Sequence, residues 1–538
     1  MPNRSSYWSW KALGLILGLA LVFAFIPDGH SVKSKPKKKR KEGRKVQIVH
    51  ADNLIYNEEG GVRAKQLVGN VQVKHGTTLM SCDSALIYNK PNLMKAYGHV
   101  VIEEPDSVKM YGDSLKYYGD RKMAEVRGDV KLIQGDMVLT TNFLNYNRAS
   151  QIGHYFNGGQ IVMNEGKDTL TSEKGYFYQK TDEAHFKSSV RMISKDYEII
   201  TDTMQYDMGE EISRFFGPTT ITSEDNRIYT ERGFSNNKTG VSVFTKNSQI
   251  YTSEQELSGD SIIYDQKNDI GEVFGNVMML DTVNDLMVEG QYALHNQKDS
   301  TSLVLGDPLM TQFFEKDSLF LHADTLFSTY DSTREFRLMH AYPQAQFYKS
   351  DMQGKCDSLV FSDIDSSIHL YYDPIIWSEE NQITAEFIQI FRANGKIDRM
   401  AINEQAFIIS REDSSLMYPK FNQIKGDSMM GFMIDNELRK VEVYHKGKTI
   451  YFAKDEKEAY IGMNRAEAEY LTIYLDSSQV SSILFRENPK ATLYPLKDVT
   501  PRMQYLKDFK WRGKERPLRR EDVYNWKEEE EIKEGDKP

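Results

Sequence analysis

The chain has 538 residues and a formal net charge of −10, which makes nucleic acid a poor partner for its acidic body. A mean hydropathy of −0.57 with 31 tyrosines suits many half-wet strands rather than one deep globular core. Two cysteines, Cys82 and Cys356, stand many repeats apart, whereas a disulfide needs Cα atoms within ~7 Å; both are expected as unpaired structural thiols.

Residues 1–27 read as a signal peptide or membrane anchor. Arg4 and Lys11 precede an apolar run over residues 12–26, with Tyr7, Trp8 and Trp10 at its leading edge and Pro27 closing it. A basic start followed by an apolar stretch is the secretory pattern; with Tyr7 to Trp10 included, it approaches the ~20 residues of a membrane span. No small-x-small cleavage site follows, which favours a retained anchor over a cleaved signal. Either one puts the body outside the cytoplasm.

Residues 28–45 form a basic linker. It is more basic than the N-terminal flank, so the positive-inside rule pulls the other way. Pro36-Lys37-Lys38-Lys39-Arg40-Lys41 also has the composition of a nuclear-import signal, discounted because the adjacent apolar run commits the chain to a membrane first. The linker is expected to lie on anionic lipid headgroups, at about 1 kcal/mol per basic residue.

From residue 46 to 495 the pattern is that of strands. Ala124, Val126, Gly128, Val130 and Leu132 alternate with Glu125, Arg127, Asp129 and Lys131, giving one dry and one wet face. With Asp113-Ser114-Leu115-Lys116-Tyr117 and a turn ahead of it, this makes a two-strand unit of roughly 30 residues. Asp followed by Ser or Thr recurs at Asp83, Asp113, Asp202, Asp260, Asp324, Asp357 and Asp427, with an aromatic shortly after each. A glycine stands 15 residues beyond four of these aspartates, at Gly98, Gly128, Gly217 and Gly275. Such phasing signals stacked repeats that bury their apolar faces against their neighbours.

The Asp-Ser pairs read as turn chemistry opening the first strand of each unit, and the glycines as bulges or corners that curve the sheet. Degenerate copies surround Asn142 to Gly158 and Tyr176 to Ser189. Repeats become more irregular after residue 306, and residues 464–471 are the best short helix candidate. Residues 496–538 form a charged, extended tail whose Phe509 and Trp511 anchor it on the last strand or on a partner.

No His-Glu-x-x-His, Gly-x-Ser-x-Gly, phosphate-cradling glycine loop or Cys-x-x-Cys is present. Aspartates copied down a chain are not a catalytic pair, and Asp-Ser supplies too few oxygens for calcium. The expectation is a protein with no catalytic residues, metal or cofactor.

Ala51-Asp52-Asn53-Leu54-Ile55-Tyr56, Leu67-Val68-Gly69-Asn70-Val71 and its copies, and later Lys425-Gly426-Asp427-Ser428-Met429 and Ala491-Thr492-Leu493-Tyr494-Pro495, resemble the OstA-like (LptA-like) proteins of lipopolysaccharide transport. The resemblance covers residues 46–495. It implies an all-β, elongated antiparallel β-jellyroll or solenoid whose two sheets enclose a greasy groove. That groove is expected to carry the lipid A acyl chains of lipopolysaccharide across the periplasm of a Gram-negative bacterium towards the outer membrane. More repeats, the basic linker and the charged tail depart from a minimal bridge protein.

The expected groove lining is Leu67, Val71, Val73, Val100, Ile102, Val126, Val130, Leu132, Val277 and Met279. The same residues serve equally in a structural or adhesive β-solenoid with a fully packed core; a glycan-binding or glycan-cleaving solenoid is the weaker alternative. Open arrays leave unpaired edge strands that invite strand addition. Val46, Gln47, Ile48 and Val49 form the expected upstream docking edge for other lipopolysaccharide-transport proteins.

Overall fold

The structure, a computed structural model, describes residues 46–528 except 60–61, 91, 105–107, 225, 331–336, 394–395, 413–418, 435–436, 456–458 and 477–478. The expected signal or anchor at 1–27 and the basic linker at 28–45 lie outside the described residues. Among the described residues no helix is long and apolar enough to cross a membrane. They hold 40 β-strands and five short 3-10 turns. The chain divides into two compact units, the first running to Ser253 with Ser258–Gly271, the second comprising Glu254–Leu257 and everything from Glu272.

The first unit opens with β1 (Gln47–His50), β2 (Asn53–Glu59), β3 (Val62–His75), β4 (Thr78–Tyr88), β5 (Leu93–Glu104), β6 (Val108–Tyr118), β7 (Met123–Gln134) and β8 (Met137–Asn147). Neighbours from β3 to β8 pair antiparallel, and every ladder breaks at mid-strand. In β6–β7, Ser114 faces Arg127 and Tyr111 faces Lys131, so Gly128-Asp129 bulges opposite Gly112-Asp113. A bulge bends its strand and adds twist. Each strand therefore turns a corner and gives one arm to each of two facing layers. One layer holds residues 62–68, 84–88, 93–97, 114–118, 123–127 and 143–147. The other holds residues 71–75, 78–82, 100–104, 108–112, 130–134 and 137–141. Hairpin turns line both rims opposite the corner.

Asp324, Asp357 and Asp427 stand at bends directly before Thr325–Tyr330, Ser358–Ser362 and Ser428–Ile434, as their composition suggested, but the repeated aspartates of the first unit do not open strands. Asp83 and Asp113 sit in the middle of β4 and β6, facing the bulge of the next strand. Gly128 has φ +76, and a Cβ placed there would lie 2.2 Å from Asp113 Oδ2. The same clash of 2.2 Å recurs between Gly98 and Asp83. The offset of 15 residues is thus the cross-strand distance at the corner. Beyond the glycine, Asn70 Nδ2 donates to Asp52 Oδ2 at 2.9 Å, and His99 Nδ1 stands 2.8 Å from Asp83 Oδ2.

In the second unit the arms separate. The strand Leu286–Asn296 pairs through one end with Thr301–Leu305 and through the other with Leu309–Phe313. Between those two partners Gly306-Asp307-Pro308 interrupts the strand, since Pro308 has no N–H to continue a ladder. Two ladders then run side by side. The first passes through Thr325–Tyr330, Arg337–Tyr342, Ser358–Ser362 and Ser367–Tyr371, and the second through Ser318–His322, Ala345–Tyr348, Gln353–Cys356 and Ile375–Ser378. Both rejoin on Glu437–Lys454. Their facing sides close into one core that includes Leu326, Leu359, Ile388 and Val443 from one ladder and Leu321, Phe347, Ile376 and Ile408 from the other. Residues 464–471 are not helical: they lie inside the strand Tyr460–Asp476, where buried Ala466 and Ala468 alternate with exposed Arg465 and Glu467.

The tail docks on its own chain. Lys490–Tyr494 first adds to Tyr460–Asp476, and the chain then crosses the outer face of the second ladder. A row of buried glutamines holds its backbone there. Gln423 Nε2 donates to Gln504 O at 2.7 Å while Leu506 N donates to Gln423 Oε1 at 2.8 Å. Gln382 repeats this with Lys510 O and Arg512 N, at 2.8 and 2.7 Å. Gln346 Nε2 reaches Asp522 O at 2.6 Å. Leu506 packs with Phe407, Phe421, Ile450 and Phe452, and Phe509 and Trp511 lie against the same cluster. Beside them Lys355, 2% exposed, pairs with Glu515, and its ammonium sits 4.3 Å from the Trp526 ring.

Three outcomes are expected. Gly128→Ala destabilises the first unit in urea denaturation by at least the ~1–2 kcal/mol of a left-handed non-glycine residue, and Asp113→Ala in the same chain recovers part of that loss by removing the clash. Gln423→Leu strands Gln504 O and Leu506 N at about 1–3 kcal/mol, so Leu506 amide exchange accelerates while strands of the first unit keep their protection. Burial raises the Glu515 carboxyl, but hydrogen bonds from Arg512 and Lys355 outweigh it and hold it below the ordinary value. A carboxyl lowered by folding stabilises above its unfolded pKa and loses that contribution as pH falls through the folded one. Tail docking, followed by tryptophan fluorescence, weakens on acidification below the ordinary carboxylate range, and Glu515→Gln flattens that part of the curve.

Candidate functional site

Between the two layers of the first unit lies a cavity of 260 Å³. Its walls follow from strand register. In one layer Val73, Met80, Ile102, Met110, Leu132 and Leu139 are successive cross-strand partners from β3 to β8, and all six line the cavity. In the other, Leu115, Val126 and Leu144 form one such row; nearer the mouth Met94, Tyr117, Ala124, Tyr146 and Gly153 form another. Period-2 alternation turns each row inward.

Side-chain size decides where the space stays open. The inner rows from β3 to β8 are Val, Leu, Met and Ile, and Tyr117 and Tyr146 stand only in the row nearer the mouth. From Glu183 onward the unit buries Phe186, Tyr206, Phe215, Phe244 and Tyr264, each at most 2% exposed. Rings of that volume fill the gap between layers that aliphatic side chains leave unfilled.

Of the expected lining residues, Val73, Ile102, Val126 and Leu132 line the cavity. Leu67, Val71, Val100 and Val130 are buried beside the corner bulges, where the layers converge and neighbouring side chains pack around them. Val277 and Met279 do not line it: Val277 is buried next to the Gly275-Asn276 bulge, and Met279 packs against the core of the second unit. The sequence reading missed Met80, Met94, Met110 and Met137. Their signal was present in the alternation, since each holds an inward position.

The mouth is polar. His75, Glu104 and Gln134 come from the rim of one layer and Lys122, Arg148, Gln151 and Gln179 from the rim of the other. The rims touch: His75 meets the Tyr117 ring edge-on at 6.0 Å, and Arg148 Nη1 stands 3.5 Å from His75 Nδ1. Burial raises the Tyr146 hydroxyl above its ordinary pKa, and Glu104 adds to that while Arg148 opposes it. Burial pushes the Cys82 thiol up to about 11; Cys82 and Cys356 are both unpaired and buried. Among the described residues no three His, Cys, Asp or Glu side chains gather as a metal site.

At the upstream edge Gln47, Ile48 and Val49 belong to β1, with Val46 just before it. β1 and β2 pair only with β3 among the described residues, leaving their outer edge open. Ile48, Val49, Leu54, Ile55 and Tyr56 are all exposed, Tyr56 at 74%.

Residues 43–202 match the family described as OstA-like protein. This part of the chain is OstA-like. The segment holds every residue of the cavity wall except Met208. Among solved structures the chain is similar, at 14% identity and a TM-score of 0.19, to LptH from Pseudomonas aeruginosa, described as the LptA-homologous periplasmic component of its lipopolysaccharide transport device. That likeness covers 20% of this chain and 82% of the other. No curated protein matches the chain.

Proposed function

We propose that the protein is a non-enzymatic, lipid-binding conduit that shields the acyl chains of lipopolysaccharide on their way through the periplasm to the outer membrane. The observation that carries this reading is the coincidence of the OstA-like segment with an apolar cavity open along one polar mouth. An acyl chain seated there gains about 0.8 kcal/mol for each CH₂ removed from water. Sugars stay outside, where Lys122 and Gln179 face solvent. The groove lining in this reading is Val73, Ile102, Val126 and Leu132, with Leu67, Val71, Val100 and Val130 as its packed floor.

The open edge of β1 and β2 supports strand addition by another transport component, because unpaired backbone groups beside exposed apolar side chains template a further strand. Anchoring through residues 1–27 and lipid contact through the basic linker belong to the same proposal. The filled core of the second unit favours a different role there, that of a packed structural array.

Photoreactive residues at Val126 and Leu132 are expected to give lipopolysaccharide adducts in a Gram-negative host, with none at exposed Asp129. Equal labelling at Asp129, or none at the two wall positions, overturns the conduit. Filling the cavity by Val126→Trp lowers binding of an acyl probe at least tenfold, at an overpacking cost of about 1–3 kcal/mol.

A further inference from the structure

We infer that the mouth of the cavity is an anion site, so that the bound molecule is an amphiphile with its apolar chain in the cavity and a phosphate-class head at Lys122 and Arg148. The inference rests on the cavity being a lipid site and adds the chemistry of the head.

Lys122 closes the turn between β6 and β7, and Arg148 opens the turn after β8. The two turns are joined through their backbones, Arg148 N donating to Lys122 O at 2.9 Å. Both cations therefore stand side by side on one rim, both exposed and both lining the cavity. Neither has a carboxylate within ion-pairing distance among the described residues. Arg148 instead reaches across the mouth to the His75 ring, a contact that leaves its charge uncompensated. The carboxylate on this mouth is Glu104 on the opposite rim, and it accepts from Thr78 Oγ1 at 3.0 Å.

Two uncompensated cations above an apolar hole favour a ligand with the same division of character. Arg forms forked hydrogen bonds to phosphate, and Lys supplies a movable point charge beside it. Elsewhere the corner and rim carboxylates hold their cations: Glu231 with Lys246 at 2.6 Å and Glu103 with Lys109 at 2.6 Å. The pair at the mouth is not held in this way.

The test compares dodecyl phosphate with dodecyl maltoside, which has the same chain and no charge, on the full chain below micelle-forming concentrations. Arg148→Ala is combined with Lys122→Asn, since Lys122 has φ +52 and asparagine tolerates that conformation. The double variant is expected to weaken dodecyl phosphate at least tenfold and leave dodecyl maltoside unchanged. Equal loss with both probes, or no loss with either, overturns the anion site while leaving the cavity. Inorganic phosphate binding as tightly as dodecyl phosphate overturns the amphiphile assignment. Failure of the unaltered chain to bind either dodecyl probe overturns the cavity reading as well. Arg148→Lys, which keeps the charge, retains most of the preference for the phosphate probe.

Discussion

The corner is the constraint on which the first unit depends. An aspartate in one strand lies over a glycine in the left-handed region of the next, close enough that no β-carbon fits between them. That contact fixes where each strand bends. Because successive bends align, arms on one side of the corner stack only with like arms, and two layers emerge from a single zigzag chain. Register follows from the same feature. A one-residue slip would send every inward side chain outward, and it would also set the aspartate over a residue with a β-carbon.

With the layers fixed, the volume of inward side chains determines whether the space between them is empty. Short and flexible residues at successive cross-strand positions leave room beside β3 to β8. Where the row of Leu115, Val126 and Leu144 continues after Glu183, the rings of Phe186, Phe215 and Phe244 fill the gap. A cavity and a core can thus share one backbone plan, and the division is made residue by residue. Methionine suits the open part for a further reason: its unbranched thioether adjusts to irregular apolar surfaces at little cost.

Much of the fold was legible in the sequence because it is written in two periods, the alternation along each strand and the Asp-to-Gly offset between strands. Both come from local geometry, so both survive in a single chain. The position of the aspartate was not legible: Asp-Ser is common in turns, and only pairing shows Asp113 to be at mid-strand. Corners built from other residues escaped as well. Glu231 stands where an aspartate is expected and takes Asn247 Nδ2 at 2.8 Å, while Lys246-Asn247 replaces the glycine pair at φ 67 and 57. Ser188-Ser189 adopts the same conformation with φ 64 and 55. Wall residues close to the mouth could be read by alternation. The rim could not, since turn residues share no period and are brought together only by stacking.

The tail shows how much of the end of the chain composition leaves unsaid. Phe509 and Trp511 marked it as a segment that docks, on the last strand or on a partner, and they pack on a surface of its own chain prepared for it. Gln346, Gln382 and Gln423 occupy outward positions on the second ladder, where a polar residue would normally meet water, and each is at most 1% exposed. A buried amide is costly unless its hydrogen bonds are made, and these amides bond to backbone rather than to side chains of the tail. Recognition through the main chain fixes where the segment runs and leaves its sequence free to supply the apolar and charged contacts between the rungs. Leu506 fills the space beside Gln423, and Glu515 neutralises Lys355, which would otherwise be a lone buried cation. Outward glutamines on successive strands of one ladder are thus the imprint of a covering strand-like segment, and they carry that information even though nothing in the tail itself alternates.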